Sequence, residues 1–138
     1  MKKLEIFNEV KGWKVPKKKL FLAFDTFLRQ EKWVGMEVVV IFVGEAKMRE
    51  LNWRWRGRKG STDVLSFNYG SAPTGACGEI YICVKVAERY TLKAGESLQS
   101  EILALFVHGL LHLAGYTHEN EQKFGKMMGR ASEILGKI

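Results

Sequence analysis

Long apolar segments, prolines and cysteines are all scarce in this 138-residue sequence. The longest uninterrupted aliphatic or aromatic runs, at residues 38–43 and 102–107, are far shorter than the roughly 20 residues that cross a bilayer. Glu5, Asn8 and Glu9 interrupt the first residues, which therefore lack the apolar stretch of a signal peptide. These absences predict a cytoplasmic protein that has no membrane partner.

The two cysteines, Cys77 and Cys83, match neither a zinc ribbon nor a C-x-x-C redox motif. Without an export signal a structural disulfide is not expected, so we interpret both as small apolar residues at or beside a strand. The sequence also has no internal repeat and no linker rich in proline or serine. It therefore predicts one domain over residues 1–138.

Positive charge exceeds negative charge, with 22 lysines and arginines against 15 aspartates and glutamates, a net charge of +7. The sequence pI is about 9.5. Such a balance attracts polyanions, and RNA is the partner that it favours in the cytosol. Charge by itself does not name a partner, because the same surplus also serves solubility.

The order of apolar residues predicts an α+β fold with one small mixed sheet of about four strands and helices packed on it. Segments rich in β-branched and aromatic residues predict strands at Leu4–Phe7, Glu37–Val43, Thr62–Phe67 and Glu79–Val84. Helices are predicted from about Pro16, at Ala46–Trp55, at Ser97–Ala114 and near the C-terminus. Their expected apolar sides include Leu20, Phe21, Phe24 and Leu28, then Met48, Leu51, Asn52 and Trp55, and finally Phe124, Met127, Met128, Ala131 and Leu135.

All three histidines lie in one short segment, HGLLHLAGYTH, at residues 108–118. His108 and His112 are four residues apart, which places them on one face of a helix. Gly115 can end that helix, so that the chain turns back and brings His118 to the same point. Three imidazoles with one open position are typical of catalytic zinc, which lowers the pKa of a bound water to about 7. We predict one zinc per chain at the end of a core helix.

The histidine spacing coincides with that of metzincin proteases, H-E-x-x-H-x-x-G-x-x-H. In those enzymes the glutamate after the first histidine is the general base, and here Gly109 occupies that position. This difference disfavours peptide hydrolysis, although a metzincin-like metalloprotease stays open as an alternative.

Three motifs together resemble the YbeY family, bacterial endoribonucleases that take part in rRNA maturation and ribosome quality control. They are LNWRWRGRKGSTDVLSF at Leu51–Phe67, GEI at residues 78–80 and the histidine segment. Their order and spacing extend the resemblance over essentially the whole chain. It implies zinc ligation by His108, His112 and His118, and a catalytic role for Arg56.

Two positions depart from the family pattern. Trp55 replaces the usual tyrosine or phenylalanine, which keeps an aromatic residue. Thr117 replaces the aspartate before the last histidine, which leaves the general acid and base unassigned.

The residues around Arg56 suit RNA, because Arg54, Arg58 and Lys59 can neutralise phosphates. Trp53 and Trp55 could stack on bases, but we expect Trp55 in the core. The preferred hypothesis is a zinc endoribonuclease that acts on single-stranded RNA, with rRNA and the ribosome or its proteins as partners. The alternatives are the metalloprotease and a noncatalytic, zinc-stabilised ribosome-associated factor.

Overall fold

The computed structural model describes residues 2–33, 35–72 and 75–138. Its elements in chain order are β1 (Lys2–Asn8), α1 (Lys17–Gln30), β2 (Met36–Val43), α2 (Glu45–Arg56), β3 (Val64–Ala72), β4 (Gly75–Cys83), α3 (Val84–Ala94), α4 (Leu98–Leu113) and α5 (Glu121–Leu135).

The four strands form one mixed sheet in the order β1-β2-β4-β3. The pairs β1–β2 and β2–β4 are parallel, whereas β3 runs antiparallel to β4 at the edge. The predicted α+β class with a four-stranded mixed sheet is confirmed. As expected for a central strand, β2 is buried on both faces, with Val40 and Phe42 on one and Ile41 and Val43 on the other.

Different helices pack on the two faces of the sheet. The larger core lies between the first face and the helices α1, α4 and α5, and includes Ile80, Phe106 and Leu110. On the second face α2 buries Met48 and Leu51 in a smaller core. Two aromatic residues on this second face, Phe67 and Tyr81, are only partly buried.

Helix α3 was not predicted, since β4 ends at Cys83 and the helix begins at Val84 with no loop between them. Cys83 precedes the helix without a side-chain capping hydrogen bond, so the usual start signal is missing.

Three aromatic residues assigned to apolar helix sides are exposed, and this part of the prediction was wrong. They are Phe21 in α1, Trp55 in α2 and Phe124 in α5. Apolar spacing defines a stripe along a helix but does not fix which edge of that stripe faces the core. In α1 the buried side includes Ala23 and Phe27 in place of Phe21.

The predicted start of α4 and the predicted strand placement of the cysteines are confirmed. The Ser97 hydroxyl caps α4 by accepting a hydrogen bond from the Ser100 backbone N–H at 3.1 Å. Both cysteines lie in β4 as free thiols, and burial raises the pKa of Cys83. In the part of the chain that the structure describes, no helix is both long and apolar enough to cross a membrane.

Candidate active site and metal centre

Helix α4 lies unusually close to β4, and two glycines allow this approach. A Cβ at Gly109 would lie 2.9 Å from two side-chain atoms of Ile80. A Cβ at Gly78, on β4, would lie 2.5 Å from the Leu113 side chain. Since α4 carries both His108 and His112, this close packing fixes their position relative to the sheet.

The chain reverses after α4, as Gly115 predicts. Gly115 has a φ of 101°, in the left-handed region, and its N–H donates to the His112 carbonyl at 3.0 Å. The next N–H, from Tyr116, donates to Leu111 at 3.0 Å. The reversed chain brings the His118 ring to 5.2 Å from the His112 ring, measured between centroids.

One hydrogen bond orients the His112 ring. Its Nδ1 lies 3.1 Å from the backbone carbonyl of Tyr116. A neutral imidazole that donates from Nδ1 leaves Nε2 with a free lone pair, which is the arrangement found in most metal-bound histidines.

The buried carboxylate of Glu31 anchors the loop that supplies this carbonyl. The Tyr116 hydroxyl donates to Glu31 Oε1 at 2.5 Å, and Arg130 Nε lies 3.7 Å from Glu31 Oε2. The Glu31 side chain is only 6% exposed, so the loop is tied to the end of α1 and to α5. The burial of Tyr116 and its bond to Glu31 raise the pKa of this tyrosine, which stays a donor.

Burial lowers the pKa of both His108 and His112. The neighbouring His112 lowers the pKa of His108 further, while Asp63 opposes this change. For His112 the Tyr116 carbonyl raises the pKa, and interactions with the neighbouring His118 and Arg56 lower it. Both imidazoles are therefore neutral at pH 7, the form that binds a metal.

Arg56 and two of the histidines share one cleft of about 570 Å³. Arg56 is the last residue of α2, which ends at Gly57 in the left-handed conformation with a φ of 65°. The full lining is Arg56, Thr62, Asp63, Val64, Ser66, His112, Thr117, His118 and Glu119. His108 lies one turn before His112 on α4, outside this lining, where Asp63 influences its pKa.

The donor set fits a zinc ion chemically, although no ligand set is preformed. Over the described ranges, no three histidine, cysteine, aspartate or glutamate side chains are arranged to hold one ion. His112 and His118 are nevertheless close enough for both rings to reach an ion about 2 Å from each nitrogen. His108 supplies a third neutral imidazole one turn away. Zinc ligation by the three histidines stays a prediction.

The basic residues near Arg56 lie on the end of α2 and the loop after it. Arg54 forms a surface ion pair with Glu50 at 3.8 Å, whereas Arg58 and Lys59 are exposed without an ion pair among the described residues. The buried Asn52 holds this loop, because its Nδ2 donates to the Gly60 carbonyl at 2.9 Å. Asn52 lies on the buried side of α2, as its spacing predicts, and this hydrogen bond explains a polar residue there.

The cleft contains two carboxylates that the sequence patterns did not assign to it, Asp63 and Glu119. The Asp63 backbone carbonyl accepts a hydrogen bond from the Cys83 N–H at 2.8 Å at the strand entry, and the same residue lines the cleft. Glu119 accepts a hydrogen bond from the Thr117 hydroxyl at 3.1 Å. The sequence did contain one indication that Glu119 belongs to the site, since it directly follows His118.

Glu79, in the GEI motif, lies on the other side of the sheet. Side chains alternate along a strand, and Ile80 faces α4, so Glu79 faces away from the histidines. It accepts a hydrogen bond from the Tyr69 hydroxyl and lines a separate pocket with Trp55.

The fold and the cleft together define a class: small α+β proteins in which histidines from one helix and the following loop face an arginine. Comparison with known proteins makes the assignment specific. The chain matches the family described as Endoribonuclease YbeY over residues 5–138. It belongs to the YbeY family.

Individual relatives agree with this assignment. The Endoribonuclease YbeY of Renibacterium salmoninarum is 37% identical over 108 residues, covering 72% of this chain and 69% of the relative. That of Helicobacter pylori is 40% identical over 98 residues, covering 71% and 69%. A Thermotoga maritima protein of known solution structure superposes with a TM-score of 0.65 at 31% identity, covering 97% of this chain and 90% of that chain.

Proposed function

We propose that this protein is a zinc-dependent endoribonuclease that cleaves single-stranded RNA in the cytoplasm, as a step of rRNA maturation. Membership of the YbeY family supports the reaction class. The observation that carries the proposal for this chain is the shared cleft, in which Arg56 lies with His112 and His118.

The residues in the cleft and beside it have different chemical roles. His108, His112 and His118 would hold the zinc, which when bound supplies hydroxide at neutral pH. Arg56 binds the phosphate that is cleaved and neutralises the charge that develops on its oxygens. Glu119 and Asp63 are the carboxylates available for proton transfer. Glu119 supplies a carboxylate beside Thr117, where the family pattern has an aspartate.

The surface around the cleft supports RNA as the substrate. Arg54, Arg58 and Lys59 lie within a few residues of Arg56, and all three are exposed. They attract the backbone without selecting a sequence, because phosphate contacts position a nucleic acid and do not read it. The ribosome or a ribosomal protein is the partner that rRNA maturation implies.

The metalloprotease alternative loses further support from the position of Gly109. This residue is buried against Ile80, so a glutamate there would collide with the sheet before it could act as a base. A noncatalytic, zinc-stabilised factor is the second alternative, and only an activity measurement separates it from the proposed enzyme.

Single-turnover cleavage of single-stranded RNA tests the proposal. We expect Arg56→Ala to lower the rate at saturating RNA by about 100- to 1,000-fold, the usual cost of losing one positioned charge donor. Arg58→Ala is the matched control, and it should weaken binding slightly and leave the saturated rate unchanged. His112→Ala should abolish cleavage together with zinc binding.

Each alternative has its own outcome. An unchanged saturated rate in Arg56→Ala would remove Arg56 from catalysis. Wild-type protein that binds zinc and RNA but does not cleave would establish the noncatalytic factor. Chelator-sensitive hydrolysis of unstructured peptides would instead establish the protease.

A further inference from the structure

A second pocket, of about 160 Å³, lies on the sheet face that is turned away from α4. Its lining consists of Leu51, Trp55, Phe67, Tyr69, Glu79 and Tyr81. Trp55 is 63% exposed and Tyr69 65% exposed, so aromatic surface is open to solvent on both sides of the pocket. The proposed cleavage chemistry uses none of these side chains.

The aromatic rings of this pocket support one another. Phe67 contacts Trp55 edge-on at a centroid distance of 6.2 Å and contacts Tyr81 edge-on at 5.8 Å. Phe67 and Tyr81 are half-buried against the smaller core, which holds their rings in place. A cavity of about 150 Å³ accommodates benzene, so this pocket has the size for one flat ring. Exposed aromatic side chains are the usual stacking platforms for the bases of single-stranded nucleic acids.

Glu79 gives the wall of the pocket a hydrogen-bond acceptor. One of its carboxylate oxygens accepts from the Tyr69 hydroxyl, and no partner contacts the other oxygen within the described residues. This bond raises the pKa of Tyr69 to about 12, so the hydroxyl stays a donor at neutral pH. A carboxylate next to a stacked base accepts hydrogen bonds from an exocyclic amino group, as it does from cytosine N4.

The pocket and the cleft are neighbours on opposite sides of the edge strand β3. In β3, Ser66 lines the cleft and the next residue, Phe67, lines the pocket. At the end of α2, Arg56 lines the cleft and the preceding residue, Trp55, lines the pocket. A strand of RNA that crosses this edge therefore passes the basic end of α2.

The end of the pocket that lies away from Trp55 is acidic, so the RNA backbone is not expected to run there. An adjoining hollow shares Tyr69 and Glu79 and is lined by Lys3, Glu5 and Glu37. Its carboxylates repel phosphates, so the RNA backbone should run on the side of Arg54 and Arg58.

We propose that this aromatic pocket binds one base of the RNA substrate, a base that carries an amino group, while a neighbouring phosphate lies in the cleft. This inference rests on the proposed function, because it takes single-stranded RNA as the ligand. Cytosine, adenine and guanine offer Glu79 an exocyclic amino group, whereas uracil offers only its ring N3–H, which lies between two carbonyl oxygens that repel the carboxylate. The pocket thereby gives the enzyme a base preference that the phosphate contacts cannot provide.

Binding measurements on the zinc-loaded protein test the pocket. Fluorescence anisotropy would report affinity for oligocytidine and oligouridine, read immediately after mixing, before cleavage proceeds. We expect Trp55→Ala to weaken oligocytidine binding about tenfold, as loss of one stacking contact does. Tyr90→Ala removes a tyrosine that is 50% exposed on α3, far from the pocket in sequence, and serves as the matched control with unchanged affinity. Glu79→Gln should reduce the preference for cytidine over uridine, because a glutamine amide can donate to a uracil carbonyl as well as accept from the cytosine amino group.

The outcomes separate this inference from the proposed function. Equal oligocytidine affinity for wild type, Trp55→Ala and Tyr90→Ala would overturn the pocket and leave the surface to a protein partner, even if the wild type cleaves RNA normally. A tenfold loss confined to Trp55→Ala would support the pocket even if the wild type proved unable to cleave. No preference between the two oligonucleotides in the wild type would overturn the role of Glu79.

Discussion

His112 and His118 are adjacent in the cleft but differ in how firmly they are held. The His112 ring is half-buried and hydrogen-bonded through Nδ1, whereas His118 is exposed on the loop that follows α4. Helix α4 therefore holds the His112 imidazole in a fixed orientation. The exposed His118 imidazole, on the loop, can change its orientation when an ion binds. His108 lies one turn earlier on the same helix, so its position is also set by α4.

Replacing a helical histidine should remove the metal. We expect close to one zinc per chain in the wild type and a large loss in His108→Ala and in His112→Ala, because two imidazoles from separate segments hold an ion poorly. Elemental analysis of purified protein measures this, and Arg58→Ala is the control that should keep its zinc. Undiminished zinc in both histidine variants would rule out the site.

Glu101 provides a test of pH dependence in the first turn of α4. Its burial, followed by the charges of Asp63 and Glu96, raises its pKa from 4.5 to about 7. Between these pH values the unfolded chain loses the proton and the folded protein keeps it, so Glu101 lowers stability as pH rises through this window. Glu101→Gln should therefore match the wild type at pH 4.5 and exceed it in stability at pH 7.5.

Urea unfolding of both metal-free proteins at the two pH values checks this. Glu96→Gln, at an exposed neighbouring position, is the control and should show a much smaller change. Equal stability of Glu101→Gln and wild type at pH 7.5 would contradict the raised pKa.

Residue patterns predicted that His112 and His118 come together, but not where each aromatic residue lies. The spacing of His108, His112 and Gly115 is a local property of one helix and its end, so sequence reveals it. Whether Trp55 is buried depends on how far β3 and β4 extend below α2, which no local pattern contains. The exposure of Trp55 is also what makes the second pocket.

At the scale of elements, the contact between α4 and β4 depends on the absence of side chains at Gly109 and Gly78. Helix interiors normally disfavour glycine, so a glycine inside α4 indicates a packing constraint. From the sequence, Gly109 was interpreted only as a missing catalytic base, because its closeness to Ile80 is a tertiary contact. The helix α3 escaped prediction for a related reason, since its start follows β4 without a loop.

Alanine substitutions at two helical glycines should have opposite effects. Gly109→Ala gains up to about 1 kcal/mol in helix propensity but overpacks the core at a cost of about 1–3 kcal/mol, so we expect a net loss near 1 kcal/mol. A Cβ added at Gly125 in α5 would have no neighbour within 4 Å among the described residues, so Gly125→Ala should gain about 1 kcal/mol.

Urea unfolding of the two alanine variants measures both effects. Adding Ile80→Val to Gly109→Ala should recover part of the loss, because it removes one of the colliding atoms. Stabilisation by Gly109→Ala would show that α4 can move away from the sheet at little cost.

At the scale of the whole molecule, the net charge of +7 is distributed so that a basic surface borders the cleft. Charge balance suggested a polyanion, and the fold adds that Arg56 lines the cleft while Arg54, Arg58 and Lys59 are exposed beside it. The order of the strands, in which β4 lies between β2 and β3, could not be read from the sequence. Strand order depends on pairing between distant segments, whereas the helix and strand patterns are local.

The salt dependence of RNA binding should report these contacts one by one. Arg58→Ala and Lys59→Ala should each reduce the slope of log affinity against log salt by about 0.7, because each lost phosphate contact releases fewer counterions. Lys93→Ala, on exposed surface at the end of α3, is a control that should leave the slope unchanged. Affinities titrated over a range of salt concentrations decide this, and equal slopes in all variants would remove the loop from the RNA interface.

The edge strand β3 has a consequence for the kinds of genetic change that this protein tolerates. Ser66 and Phe67 are consecutive, and one faces the cleft while the other faces the aromatic pocket. Deletion or insertion of one codon in this strand would exchange the two faces for every later residue of the strand. Both surfaces would then be lost through a single-codon event, whereas a point substitution alters only one of them. Reading-frame-preserving deletions should therefore be rarer in β3 than point substitutions at the same positions.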